Sequence, residues 1–146
     1  MRKVLVFIFS ITLVLFLTGC GAKKTLECKI DMSNQLLGLG KMDSTISADF
    51  EGKSMQKMNL KMNIEITSST IQESGMARFK SIFDNVCKNG QGGIKFPECN
   101  VTQNGKKVTL DASVSKSEID DKSSTYGSVE KTKEELEKQG YTCTIK

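Results

Sequence analysis

Five cysteines and no histidine limit the chemistry that this 146-residue sequence could carry. The lack of histidine excludes Ser-His-Asp and Cys-His catalysis, zinc-protease helices and haem ligation by imidazole. Cys28, Cys87, Cys99 and Cys143 are scattered and form no CxxC pair, which disfavours a thioredoxin-like redox centre. In an exported domain these four residues predict two disulfides, and a zinc site of four thiolates is the alternative.

The fifth cysteine, Cys20, ends a segment typical of a bacterial export signal. Arg2 and Lys3 precede a 14-residue apolar run, Val4–Leu17, which at about 1.5 Å per residue is too short to span a bilayer. The tetrad Leu-Thr-Gly-Cys that follows resembles the lipobox of bacterial lipoproteins. This resemblance implies cleavage after Gly19 and acylation of Cys20, which would anchor the chain at the extracytoplasmic face of the cell membrane. An ordinary signal peptide with a chance cysteine is the alternative.

Cleavage there predicts three regions: a signal peptide over 1–19, a lipidated N-terminus with a short tether over 20–24, and one domain over 25–146. Loss of the two leader cations lowers the formal net charge from +4 to +2. A charge this small, spread along the chain, is not a nucleic-acid footprint. Lys23 and Lys24 either approach anionic lipid headgroups or simply keep the tether solvated.

Hydrophobic periodicity predicts the elements that position the remaining cysteines. Strands are expected at Thr25–Met32, Thr45–Phe50, Met55–Thr67, 94–102, 108–114 and 141–145, and helices at about 70–88 and 128–139. Turns at 51–53 and at Asn104-Gly105 predict hairpins, the second of type I′, whereas 33–43 and 115–127 look irregular. These elements predict an α+β fold: an antiparallel sheet (order β-β-β-α-β-β-α-β) with two helices packed on one face.

The predicted elements favour one pairing of the four cysteines. Cys28 lies in the first strand and Cys143 in the last, and the termini of small domains are often close together, so a disulfide between them is expected. Cys87 ends the first helix and Cys99 lies in the next strand, with a glycine-rich turn between them, so these two are also expected to pair. Spacing alone leaves the crossed pairings open.

Two further patterns could carry chemistry, but each has a simpler explanation. Met55, Met58 and Met62 could bind copper(I) through their thioethers, yet Met58 and Met62 alternate with polar residues in a strand, which favours a core role. Ser113 and Lys116 match the Ser-x-x-Lys pattern of acyl-enzymes, but they lie at a strand end without a partner motif. We therefore expect no enzyme activity, no cofactor and no metal site.

The end of the chain carries a family resemblance. Residues 128–141, SVEKTKEELEKQGY, followed by Cys143 and combined with the N-terminal lipobox, resemble the YehR-like bacterial lipoproteins. The resemblance implies an α+β domain with no established activity. The expected function is a structural or binding role in the envelope, with the membrane and a protein, peptide or lipid as partners. Binding of copper, zinc or a small ligand is the alternative.

Overall fold

The computed structural model describes residues 21–90, 94–119 and 127–146. The predicted signal peptide and the acylation site at Cys20 lie outside these residues. No helix within the described ranges is long and apolar enough to cross a membrane.

Six strands form one antiparallel sheet in the spatial order β4-β5-β3-β2-β1-β6. Their bounds are β1 (Lys23–Asp31), β2 (Gly40–Glu51), β3 (Ser54–Ile66), β4 (Glu98–Asn104), β5 (Lys107–Ser115) and β6 (Thr142–Ile145). The helices are α1 (Met76–Asn89), α2 (Lys116–Ile119) and α3 (Val129–Lys138), and short 3₁₀ helices occur at Ser33–Leu36 and Glu73–Gly75. The predicted α+β class and antiparallel sheet are confirmed.

The two faces of the sheet differ in polarity because side chains alternate along each strand. In β3, Leu60 and Ile64 are buried, whereas the residues directly after them, Lys61 and Glu65, point to the solvated face. The longer helices, α1 and α3, cover the apolar face and add their own buried side chains to the core, namely Met76, Phe83, Val129 and Leu136. The prediction of two helices on one face is therefore confirmed.

The hairpins are present, but the predicted type I′ turn at Asn104-Gly105 is wrong. Asn104 pairs with Lys107, so the central turn residues are Gly105 and Lys106. Of these four residues only Gly105 has a positive φ, of 57°. Positive φ at the first central position alone is typical of a type II′ turn, in which glycine avoids the steric cost of a Cβ atom.

A bulge near the β2–β3 hairpin changes the face to which Met55 belongs. Counting by twos along β3 puts Met55 on the face opposite Met58, but the register shifts between Asp49 and Phe50. Phe50 therefore pairs with Met55, and both side chains are buried. One extra residue in a strand reverses the alternation beyond it.

Several element starts differ from the sequence prediction. Helix α1 begins at Met76 instead of about residue 70, because Ser68 and Thr70 hydrogen-bond to each other in a local turn. Strand β4 begins at Glu98, directly after Pro97, which cannot donate to a strand ladder. Lys23 and Lys24, expected in the tether, already belong to β1.

Strand β2 also begins earlier than predicted, at Gly40 within the segment expected to be irregular. Gly40 pairs with Ile66, and a Cβ atom on it would lie only 2.1 Å from the Glu65 carbonyl oxygen. Glycine is therefore the residue that lets the two backbones approach here, although it gives no strand signal in the sequence.

Candidate functional site

The two longer helices cover the strands at the two edges of the sheet and leave the central strands less protected. Helix α1 packs mainly on β4 and β5, and α3 packs mainly on β6 and β1. The central strands β2 and β3 lie between these two zones. Their apolar side chains Ile46 and Met62 consequently stay half-buried, although they face the core side.

A pocket of about 370 Å³ opens at this gap. We call it the interhelical pocket and define it by the apolar residues Ile46, Met58, Met62, Ile94, Phe96 and Leu136. A concave, mainly apolar pocket of this size is at the small end of the range that binds small molecules. It is therefore the strongest candidate for a binding site among the described residues.

A helix-ending motif positions one wall of the pocket. Ser128 caps α3 by accepting a hydrogen bond from the Lys131 N–H at 3.2 Å. At the other end, the Tyr141 N–H donates to the Leu136 carbonyl and the Gly140 N–H donates to the Glu137 carbonyl, which is the Schellman pattern. Gly140 supplies the required positive φ, of 94°. This ending holds Tyr141 beside Leu136, and both side chains line the pocket.

Two hydroxyl groups in the wall are almost completely buried. Ser44 and Thr132 are each 1% exposed and both line the interhelical pocket. The Thr132 hydroxyl donates to the Ser128 carbonyl at 2.9 Å, so it has a good partner within α3. The Ser44 Oγ lies 3.4 Å from the Tyr141 hydroxyl, which is long for an O–H···O hydrogen bond. Ser44 and Tyr141 therefore retain hydrogen-bonding capacity that faces the pocket.

The lining carries no charged side chain within the described part of the chain. Moving an ion from water into such a site is costly without a partner charge. The pocket is consequently suited to a neutral, largely apolar molecule with one or two hydrogen-bonding groups, for which Ser44, Tyr141 and Gln139 are available.

A second concavity, of about 500 Å³, is an open depression on the polar face of the sheet. Its charged groups already have partners: Lys61 lies 3.7 Å from Asp111, and the Ser113 hydroxyl donates to Glu98 at 2.5 Å. The hydroxyl that the Ser-x-x-Lys pattern singles out is thus bound to a carboxylate. These contacts are those of a solvated sheet face.

The four cysteines of the domain are joined as Cys28–Cys143 and Cys87–Cys99, with Cα–Cα distances of 4.0 and 5.5 Å. This is the pairing that the sequence favours. Cys28 and Cys143 lie directly opposite each other in neighbouring strands. As disulfides these residues offer no thiolates for zinc, and no group of three or more His, Cys, Asp or Glu residues that could hold a metal ion occurs within the ranges that the structure describes.

The predicted site residues and the pocket overlap only at the methionines. Met58 and Met62 line the interhelical pocket, and Met32, which the sequence analysis did not single out, lines it too. Met55 lies in the core instead. Ser44 and Tyr141 were missed as well, because a serine in a strand and a tyrosine after a helix carry no sequence signal of their own.

The comparisons with known proteins bear on the fold. The NMR structure of the E. coli YehR protein superimposes on this chain with a TM-score of 0.55, covering 85% of this chain and 92% of that one. The chain shares the YehR fold. Sequence identity over this match is 11%, so the likeness concerns the architecture alone. No family model and no curated protein matches the sequence.

Proposed function

We propose that this chain is a lipoprotein anchored at the extracytoplasmic face of the bacterial membrane, and that its domain binds a small apolar molecule without catalysing a reaction. The observation that carries the binding function is the interhelical pocket, an opening over the centre of the sheet whose described lining carries no charged side chain. The lipobox-like tetrad ending at Cys20 and the apolar run before it support the anchor. The YehR-like fold is compatible with this proposal.

The short connection between Cys20 and the sheet would hold the domain close to the bilayer. β1 begins at Lys23, and the Lys24 ammonium lies 2.9 Å from the Glu130 carboxylate at the start of α3. Only two residues, Gly21 and Ala22, would then separate the acylated residue from the folded domain. A domain held this close to lipid has apolar molecules within reach.

Cys20→Ala tests the anchor. We expect the variant to lose labelling by radioactive palmitate in cells and to accumulate as unprocessed precursor. Cys28→Ala is the control for a general effect of removing a cysteine, and it should keep both labelling and processing. A Cys20→Ala protein that is still acylated and cleaved after Gly19 would contradict the anchor.

Met62→Trp tests the pocket. The larger side chain should fill the opening and abolish labelling of pocket residues by a photoactivatable alkane, a diazirine probe without a polar head. Met42→Trp is the matched control, because Met42 is a half-buried methionine on the same face of the neighbouring strand and does not line the pocket. Equal labelling of both variants and the parent chain would contradict the binding function.

Copper(I) binding is a second candidate, which the same pocket favours. Met32, Met58 and Met62 all line the pocket, with Met58 and Met62 four residues apart on β3, and soft sulfur ligands select copper(I). Titration of the protein with copper(I) against a chelator of known affinity tests this function. Stoichiometric binding that is lost when all three methionines are replaced by leucine would support it, whereas unchanged binding would exclude the site.

A further inference from the structure

We propose that the occupant of the interhelical pocket is the acyl chain of a neutral single-chain lipid. Its ester carbonyl would lie at Ser44 and Tyr141, and its methyl end would lie against Phe96. This inference rests on the proposed function, because it requires the pocket to bind an apolar molecule. It adds the class of the molecule and the direction in which it enters.

The two ends of the lining differ in polarity, with the Ser44 and Tyr141 hydroxyls at one end and apolar side chains at the other. Gln139 is exposed and Tyr141 is half-buried, so this side opens to solvent. Ala48, Met58 and Phe96 are 0%, 7% and 6% exposed, so this side is closed. The exposed Gln139 and the polar hydroxyls favour entry beside Tyr141, which places the most apolar end of the molecule beside Phe96.

The register of the sheet makes the pocket elongated. Ser44 pairs with Met62 and Ala48 pairs with Met58, so the floor follows β2 and β3 over four residues. At about 3.4 Å per residue this floor is roughly 14 Å long. A narrow pocket of this length and about 370 Å³ fits one extended chain better than a fused ring system or two chains.

The methionines in the lining suit a flexible occupant. Met32, Met58 and Met62 have unbranched side chains that adjust to irregular and changing shapes. Acyl chains vary in length and curvature, and a lining of this kind accommodates such variation at little cost.

The hydroxyl pair indicates an ester rather than a carboxylate. Ser44 Oγ and the Tyr141 hydroxyl are 3.4 Å apart, and each can donate to a carbonyl oxygen between them. The described lining offers no cation, so a carboxylate would be desolvated there without a partner charge. A neutral ester offers a carbonyl oxygen to the two hydroxyls and carries no charge that needs a partner. The head group of the lipid would lie outside the pocket beside Gln139.

Photolabelling of the full chain in membrane vesicles tests the proposal. Three probes carry a diazirine on the terminal carbon: a monoacylglycerol, the fatty acid of the same length, and the headless alkane. We expect the monoacylglycerol to label Met58 and Phe96, and to do so roughly tenfold more efficiently than the fatty acid at pH 8. Met62→Trp should abolish this labelling and Met42→Trp should not.

The combined variant Ser44→Ala/Tyr141→Phe separates the ester contact from the apolar pocket. Loss of two modest hydrogen bonds should lower monoacylglycerol labelling roughly threefold to tenfold, while alkane labelling of the same residues stays unchanged. If the alkane labels the pocket but the monoacylglycerol has no advantage, the acyl-ester proposal fails and the binding function stands. If no probe labels the pocket, both fail.

Discussion

Leu37 has a backbone conformation that its own side chain disfavours. Its φ of 51° and ψ of 38° are left-handed, and it is the one described non-glycine residue with a positive φ. The side chain is 89% exposed, so packing offers little compensation. Because asparagine tolerates this conformation better, we expect Leu37→Asn to raise the free energy of unfolding by about 0.5–1 kcal/mol. Urea denaturation measures the change.

Leu39→Asn is the control for this substitution. Leu39 is the next leucine of the same loop, is 36% exposed, and does not have a positive φ. Asparagine there relieves no backbone strain, so the free energy of unfolding should stay the same or fall. A comparable gain in both variants would mean that the lower hydrophobicity, and not the backbone, explains the effect.

Glu27 illustrates how the polar face of the sheet responds to acid. Its carboxylate accepts a hydrogen bond from Lys146 and lies 2.8 Å from the Lys29 ammonium. These cations, Lys146 first, lower the pKa of the Glu27 carboxyl from 4.5 to about 2. Because the pKa is lower in the folded state, the contacts stabilise the fold above about pH 4.5. This stabilisation disappears as the pH falls from 4.5 toward 2.

NMR titration of the Glu27 side-chain carbonyl tests this assignment. We expect a midpoint at about pH 2 in the parent chain and a higher midpoint in Lys146→Gln. Lys107→Gln removes a lysine from another strand of the same sheet and should leave the midpoint unchanged. A midpoint that is insensitive to Lys146 would contradict the assigned cause.

At the scale of elements, the sequence predicts what depends on periodicity and misses what depends on single contacts. The strict alternation around Leu60 and Leu110 locates β3 and β5, and Ser128 and Gly140 mark both ends of α3. The bulge that turns Met55 into the core requires knowledge of the partner strand. Cross-strand geometry is not encoded in the periodicity of one strand, so such features become visible only in the fold.

Helix α1 provides a direct test of its amphipathic packing. Phe83 is 1% exposed and its neighbour Ile82 is 53% exposed. We expect Phe83→Ala to lower the free energy of unfolding by about 3–5 kcal/mol, because a buried aromatic leaves a cavity. Ile82→Ala, on the outer face of the same helix, should change it by less than about 0.5 kcal/mol. Thermal or urea unfolding of the two variants measures the difference, and similar losses would contradict the assigned face.

At the scale of the molecule, the candidate site could not be predicted because it belongs to no single segment. The interhelical pocket combines side chains from β2, β3 and α3 with side chains from the segments that follow β1, precede β4 and follow α3. Ser44 and Tyr141 are 97 residues apart in the chain. The pocket exists because two helices cover opposite ends of one sheet, and this spacing follows from the strand order rather than from a motif.

The two disulfides should stabilise the whole molecule unequally. Cys28–Cys143 closes a loop with a sequence separation of 115, and Cys87–Cys99 closes one of 12. Chain entropy then predicts stabilisation by about 5 and about 3 kcal/mol respectively, because a longer loop restricts the unfolded chain more. We expect the double variant Cys28→Ala/Cys143→Ala to lose about 2 kcal/mol more of its free energy of unfolding than the double variant Cys87→Ala/Cys99→Ala.

The variant that lacks the Cys28–Cys143 disulfide should also show where the fold opens. Strand β6 has four residues and lies at the sheet edge, where it pairs with β1 alone among the described strands. Without the Cys28–Cys143 bond, its amide hydrogens should exchange faster than in the parent chain, whereas those of β3 in the sheet centre should change less. Hydrogen exchange of β6 and β3 is measured in each of the two double alanine variants. Equal losses of stability, or unchanged exchange in β6, would mean that side-chain packing alone holds the C-terminal strand to β1.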